Sequence, residues 1–289
     1  MKRFPLCLAA LILASARLAA ATPNAIVEAV QMPAWVERDR ATIPLAPGME
    51  LKERDQLRTG ANSKLLLKMG DGSSVKLGEN GKLRLERMEQ RRDQVFAAAM
   101  KVLEGAFRFT TDVLGKPRRR NIDITIATVT AGILGTDVWG KAASDKDIVC
   151  LIEGKIEVQH GQDQPILMSE PLSFYIAPRD APPLPVAPVD PQQMKLWAAE
   201  TEIELGKGAA RRGGKWKVIA ASVETQEDAL KLYDSLRAAG YAVQIRPQKQ
   251  GEKLIYNLRL AHLPSKAEAE ALAASIRGKM GVTEPRVSM

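Results

Sequence analysis

Side chains able to act as nucleophiles, proton carriers or soft metal ligands are few and scattered in this chain. There are two histidines, His160 and His262, and two cysteines, Cys7 and Cys150. A cysteine nucleophile needs a histidine placed to take its proton, and neither histidine lies in such a motif. Cys150 sits inside Ile148-Val149-Cys150-Leu151-Ile152, an apolar run that predicts a buried, unreactive thiol. The sequence contains no His-Glu-x-x-His, no cysteine pair at metal-ligand spacing, and no Gly-rich loop opening a helix after a strand. Acidic pairs such as Glu202 and Glu204 lie on a polar segment with no sign of a pocket. These residues predict a non-enzymatic protein that uses no cofactor and no metal.

The first residues read as an export signal. Lys2 and Arg3 precede an apolar stretch from Leu6 to Leu13, and Ala19-Ala20-Ala21 supplies small residues before Thr22. The stretch is too short to span a bilayer, which takes about 20 residues, so residues 1–21 are expected to be a cleaved leader. The expected address is the periplasm, with no integral membrane span after cleavage. Cys7 leaves with the leader, and Cys150 alone cannot form an internal disulfide.

The formal charge of +8 loses Lys2, Arg3 and Arg17 with the leader. The remaining basic excess is local: Lys116 with Arg118, Arg119 and Arg120, then Lys207, Arg211, Arg212, Lys215 and Lys217. Basic clusters of this kind bind nucleic acid in other settings, but aromatics at 4% offer little stacking surface and an exported chain meets little nucleic acid. Solvated basic loops are the expected reading, with no nucleic-acid partner. An apolar fraction of 45% with 26% charged residues supports folded domains rather than disorder.

Residues 26–176 are dominated by short alternating strands between turn signals. Lys64 to Met69 precedes Gly70-Asp71-Gly72-Ser73, and Lys82 to Glu86 follows an Asn80-Gly81 hairpin signal. Asn121 to Ala127 alternates again, and Ile148 to Ile152 is expected to pair with Lys155 to Val158 across Glu153-Gly154. Gly70, Gly72, Gly81 and Gly154 fall where hairpins call for positive φ. Arg87 to Leu103 fits either a helix or a longer strand pair. The pattern predicts an all-β unit, of sandwich, barrel or β-roll type. Residues 177–214 carry Pro178, Pro182, Pro183, Pro185, Pro188 and Pro191, which predict a semi-rigid spacer. A short helix is expected at 192–204, followed by a basic joint at 206–214.

Residues 215–289 write one half-motif twice. Trp216 to Val223 alternates and then turns to helical spacing through Thr225, Ala229, Leu232 and Leu236. Tyr256 to Leu263 does the same through Ser265, Ala269, Leu272 and Ile276. The order predicts βαββαβ, a four-stranded antiparallel sheet with both helices on one side. Trp216, Val218 and Ala220 share one side with Tyr256, Leu258 and Leu260, and this apolar set should face the helices. Lys217, Ile219, Asn257 and Arg259 are left on the open face. Trp216 and Tyr256 are accordingly expected in the core, and Trp35, Trp139 and Trp197 in core or interface.

Two family resemblances follow from these residues. Asp55 to Ser63, Met69 to Ser73, Val102 to Phe107, Ala127 to Asp137 and Val149 to Val158 resemble, in order, the successive segments of the FecR domain. Leu134 stands where that family usually has Arg, and Ala131 departs from its Thr-Pro pairing. The C-terminal repeat resembles the SPOR domain, a peptidoglycan-binding module whose strands read roughly "V-Q-V-G-S-F" and "Y-R-V-x-V-G-P-F". Ser222 matches the family Ser and Tyr256 its aromatic. Ile219 replaces the Gln, Asn257 the Arg, Ala221 and Ala261 the glycines, and His262 the Pro.

The resemblance implies a multidomain protein: an all-β FecR-like domain of β-roll or sandwich type, a Pro-rich linker and an α+β SPOR domain. It also implies glycan binding, for which Lys217, Ser222, Asn257, Arg259 and His262 are the candidate residues. The implied partners are peptidoglycan glycan strands, with envelope or divisome proteins as further partners. The implied function is a periplasmic adaptor tethered to the wall. The alternative is a periplasmic sensory protein related to FecR regulators, carrying a degenerate SPOR module.

Overall fold

The computed structural model describes residues 23–90, 95–111, 119–133 and 135–289. The expected leader at 1–21, together with Lys116, Arg118 and Leu134, lies outside the described residues.

Among the described residues the N-terminal body is a network of 17 strands folded around one main core. Its long strand Phe96–Thr110 serves both halves of that network. The first part pairs with Lys82–Gln90 and, in parallel, with Arg120–Ile126. The last part pairs with Ser74–Leu77 and Asp137–Ala142. The change of partners falls at Gly105, whose φ of +82° lets the strand bend. A Cβ there would also lie 2.7 Å from the Gly81 Cα. Leu57, Leu83, Met100, Val102 and Ile124 from one half meet Val27, Leu67, Phe109, Val138 and Leu151 from the other in a single buried cluster. This is the expected all-β roll or sandwich, and Arg87 to Leu103 resolves as strands where it is described.

One strand pairing and two turn glycines depart from expectation. Ile148 to Ile152 does not pair with Lys155 to Val158. Strand Lys146–Glu153 lies between Asp137–Ala142 and Ser173–Pro178, and Ile156–His160 lies between Val129–Ile133 and Ile166–Met168. Gly154 therefore turns a corner between halves rather than closing a hairpin. Of the four hairpin glycines, Gly72 and Gly154 have positive φ, whereas Gly70 and Gly81 do not; at the Asn-Gly turn Asn80 takes it, with φ of +50°.

The unbroken apolar run at 148–152 has a physical reason. Val149 and Leu151 point into the main core, while Ile148 and Cys150 join Ala106 and Trp139 on the outer face. That outer face is covered by helix α1, Pro191–Ala199. Asp190 caps the helix by accepting from the amides of Gln192 and Gln193, and Pro191 opens it. Met194 reaches Cys150, and the Trp197 ring stacks on Trp139 at 4.9 Å between centroids, 4° from parallel. Trp197→Ala is expected to cost about 2 kcal/mol, from lost burial and lost stacking. Chemical denaturation followed by near-ultraviolet circular dichroism measures it.

The segment expected to be an extended spacer is laid along the body instead. Ala187–Pro188 pairs with Ser173–Phe174, and the Leu184 amide donates to the Ile176 carbonyl at 2.9 Å. Prolines suit this edge because an edge strand has N–H positions that need no partner. Beyond α1, Glu200 meets Lys141 at 2.8 Å, Glu202 meets Arg108 at 3.1 Å and also Lys76, and Glu204 meets Lys64 at 3.2 Å. Strand Ala209–Arg211 then adds to Ala25–Gln31. Composition alone predicts a spacer because the anchoring partners lie far away in sequence.

The C-terminal domain has the expected order. Its sheet runs Gln244–Gln250, Lys253–Leu263, Trp216–Val223, Arg286–Ser288, every pair antiparallel. Helices α2, Gln226–Ala238, and α3, Lys266–Ile276, bury Ala229, Leu236, Ala269, Leu272 and Ile276 against Val218, Ala220, Leu258 and Leu260. Trp216 and Tyr256 pack at the edge of that core.

Candidate functional site

The candidate site is the sheet face turned away from α2 and α3. Cross-strand partners share a face, and the pairings Ile219 with Arg259, Ile219 with Arg286, and Arg246 with Asn257 put Arg246, Asn257, Arg259 and Arg286 together. Strict alternation would place Ser222 on the helix side with Val218 and Ala220. A bulge between Ile219 and Ala221 inserts one residue and turns Ser222 to the open face, opposite Asn257.

A hydrogen-bonded row then crosses all four strands. Arg286 Nη2 donates to Ser222 Oγ at 2.9 Å, and Ser222 Oγ donates to Asn257 Oδ1 at 2.7 Å. Asn257 Nδ2 donates to Gln248 Oε1 at 3.3 Å. One strand position along, Arg246 Nη2 donates to Gln244 Oε1 at 2.9 Å. Arg259 lies beside the row with a buried Nε that has no partner among the described residues. The face is thus a shallow array of amide, hydroxyl and guanidinium groups, suited to hydroxyls and acetamido groups rather than to a covalent reaction.

The five candidate residues separate. Ser222, Asn257 and Arg259 come together. Lys217 is on the same face, but its Nζ is held by the Met289 carbonyl. His262 does not join them. It sits in a second bulge with φ of +68° and lines a narrow cleft with Met32, Pro47 and Ala210. Arg246 and Arg286 were not predicted; Arg286 lies on a three-residue strand too short to show a period.

A second buried polar feature escaped the sequence. The Glu268 carboxylate, 4% exposed, accepts from the amides of Gly206, Gly208 and Ala209 at 2.6, 2.7 and 3.0 Å. Ser265-x-x-Glu268 has the pattern of a capping box. Ser265 Oγ does accept from the Glu268 amide, but the carboxylate turns outward to the segment that joins the two domains. Gly206 and Gly208 have φ of +76° and +81°, which aims successive amides at one anion.

Cys150 takes no part in any such array. Burial pushes its thiol up to about 12, and Sγ lies 3.5 Å from Met194 Sδ. The thiol is therefore protonated at neutral pH and is expected to resist a disulfide reagent in the native protein. Native and guanidinium-unfolded reaction rates with such a reagent should differ by at least about a thousandfold.

Residues 55–157 match the FecR protein family model, and residues 213–284 match the SPOR domain family model. The chain carries a FecR domain followed by a SPOR domain. No curated protein matches it. Among solved structures, it is similar to two crystal structures described as those of a candidate anti-sigma factor from Parabacteroides distasonis. One is 14% identical over 70% of this chain and 98% of that one, with a TM-score of 0.41. The other is 16% identical over 76% and 90%, with a TM-score of 0.40. FecR and SPOR domains are binding and signalling types, typical of envelope proteins. Among the described residues no helix is long and apolar enough to cross a membrane.

Proposed function

We propose that this protein is a non-enzymatic periplasmic adaptor, exported by a leader spanning 1–21 and held to the wall by its SPOR domain. The domain would bind glycan strands stripped of stem peptides, and the FecR domain would present a surface to an envelope protein or ligand. The observation that carries the reading is the row Arg286, Ser222, Asn257, Gln248 across the open sheet face, flanked by Arg246 and Arg259. A neutral polysaccharide is bound by many such donors and acceptors presented without a deep pocket. Asn257 and Ser222 together give that face an ordered polar centre, although Gln and Arg of the family pattern are replaced.

The test is co-sedimentation of the mature chain with purified sacculi, intact and after amidase removal of stem peptides. Enrichment on the stripped material is expected. Equal absence from both would favour a sensory protein whose SPOR module keeps the fold without the ligand.

A further inference from the structure

A cleft of about 940 Å³ lies between the two domains, with Tyr241, Ser275 and Lys279 on one wall and, on the other, residues of the β body and of the segment 177–214, the strap that leads to the C-terminal domain. Interdomain clefts of this size accept ligands of several hundred daltons. Its lining is mostly polar, so an occupant must bring hydrogen-bonding groups of its own.

The charges in the cleft do not cancel. Glu204 is met by Lys64, whose Nζ also donates to the Ala199 carbonyl at 2.7 Å. Glu200 is met by Lys141 at 2.8 Å, and Glu79 accepts from the Asn62 amide at 2.8 Å. Lys207 and Lys279 have no carboxylate partner among the described residues; Lys279 Nζ donates only to the Ser275 carbonyl, at 2.8 Å. Both line the cleft, and both are exposed. At the cleft wall Gln31 is 5% exposed. Its Nε2 is held by the Asn62 carbonyl, and its Oε1 is buried without a donor. A buried acceptor left in that state costs free energy, and Gln31 lines the cleft.

We propose that this cleft is a second binding site, separate from the sheet face, for a small polar anion whose acid group is held by Lys207 and Lys279. Lysines are point charges that do not distinguish carboxylate from phosphate. The occupant is therefore defined by an acid group, carboxylate or phosphate, on a body rich in hydrogen-bonding groups. Wall fragments supply such a carboxylate, and lipid or wall head groups supply such a phosphate.

Isothermal titration of the mature full chain tests this with N-acetylmuramyl dipeptide, its carboxyl-amidated form and sn-glycerol 3-phosphate. One acidic probe is expected to bind, which identifies the source, and the amidated form to bind at least about tenfold more weakly. Lys207→Ala with Lys279→Ala should weaken the acidic probe by a similar factor. Both lysines are exposed, so the variant should melt with the wild type. Arg259→Ala should leave this binding unchanged while affecting sacculi, which keeps the two sites distinguishable. Binding of neither acid, equal binding of the amidated form, or loss in Arg259→Ala but not in the lysine variant would each overturn the proposal.

Discussion

Glu268→Ala is expected to lower the stability of the full chain by about 3 kcal/mol or more. Three backbone amides converge on a carboxylate that is 4% exposed. A hydrogen bond to a charged group contributes about 1.5–3 kcal/mol, and an orphaned buried amide costs about 1–3 kcal/mol. The sum is not additive, because the loop can relax and admit water to some of the three. Glu268→Gln keeps one acceptor oxygen and should lose roughly half as much. Scanning calorimetry decides the matter. A melting transition lowered by at least about 5 °C in the alanine variant, with glutamine between, is the expected order. An alanine variant melting within about 1 °C of wild type would mean that the strap is held by its other contacts alone.

Those other contacts explain why the strap was illegible in the sequence. Proline content, read locally, predicts polyproline II, and Glu202 and Glu204 read as an acidic pair on a polar segment. Their partners are Lys141, Arg108, Lys76 and Lys64, at separations that no short-range pattern can report. The packing between domains is equally hidden. A Cβ on Gly240 would lie 2.6 Å from the Trp35 ring, and the Gly240 carbonyl accepts from the Ala34 amide at 3.2 Å. From the sequence Gly240 is simply the glycine after a helix, and nothing marks what packs against it.

What was legible follows one rule. Strands and helices of the C-terminal domain were readable because an amphipathic period is written within each element. The helix-facing set Val218, Ala220, Leu258 and Leu260 is buried as alternation requires. Alternation fails at an inserted residue. One bulge brings Ser222 to the polar face, and the other carries His262 away from it. The same limit hid the pairing of strand Lys146–Glu153. Its uniform apolarity records two covered faces but does not say which neighbours cover them.

Arg259→Ala and Asn257→Ala are each expected to weaken association with stripped sacculi by at least about tenfold, but for different reasons. On the proposed reading Arg259 would supply charge-assisted donors directly, and losing one such bond costs about 1.5–3 kcal/mol, where 1.4 kcal/mol is a factor of ten. Arg259→Lys keeps the charge but not the planar fork, so it should fall between. Asn257 is 7% exposed and acts within the row: it accepts from Ser222 and donates to Gln248. Its removal frees both neighbours, and Arg286 loses the fixed position of its acceptor. Asn257→Ala should therefore make a further Ser222→Ala change nearly silent, whereas Arg259→Ala and Ser222→Ala should add. Salt separates specific binding from adsorption. Attraction between exposed charges fades as the screening length shrinks from about 10 Å at 0.1 M to 3 Å at 1 M. Hydrogen bonds to a neutral glycan persist across that range. Binding that survives high salt and is lost in both variants places the glycan on this face. Binding that vanishes with salt in the wild type reduces the three arginines to a generic basic surface.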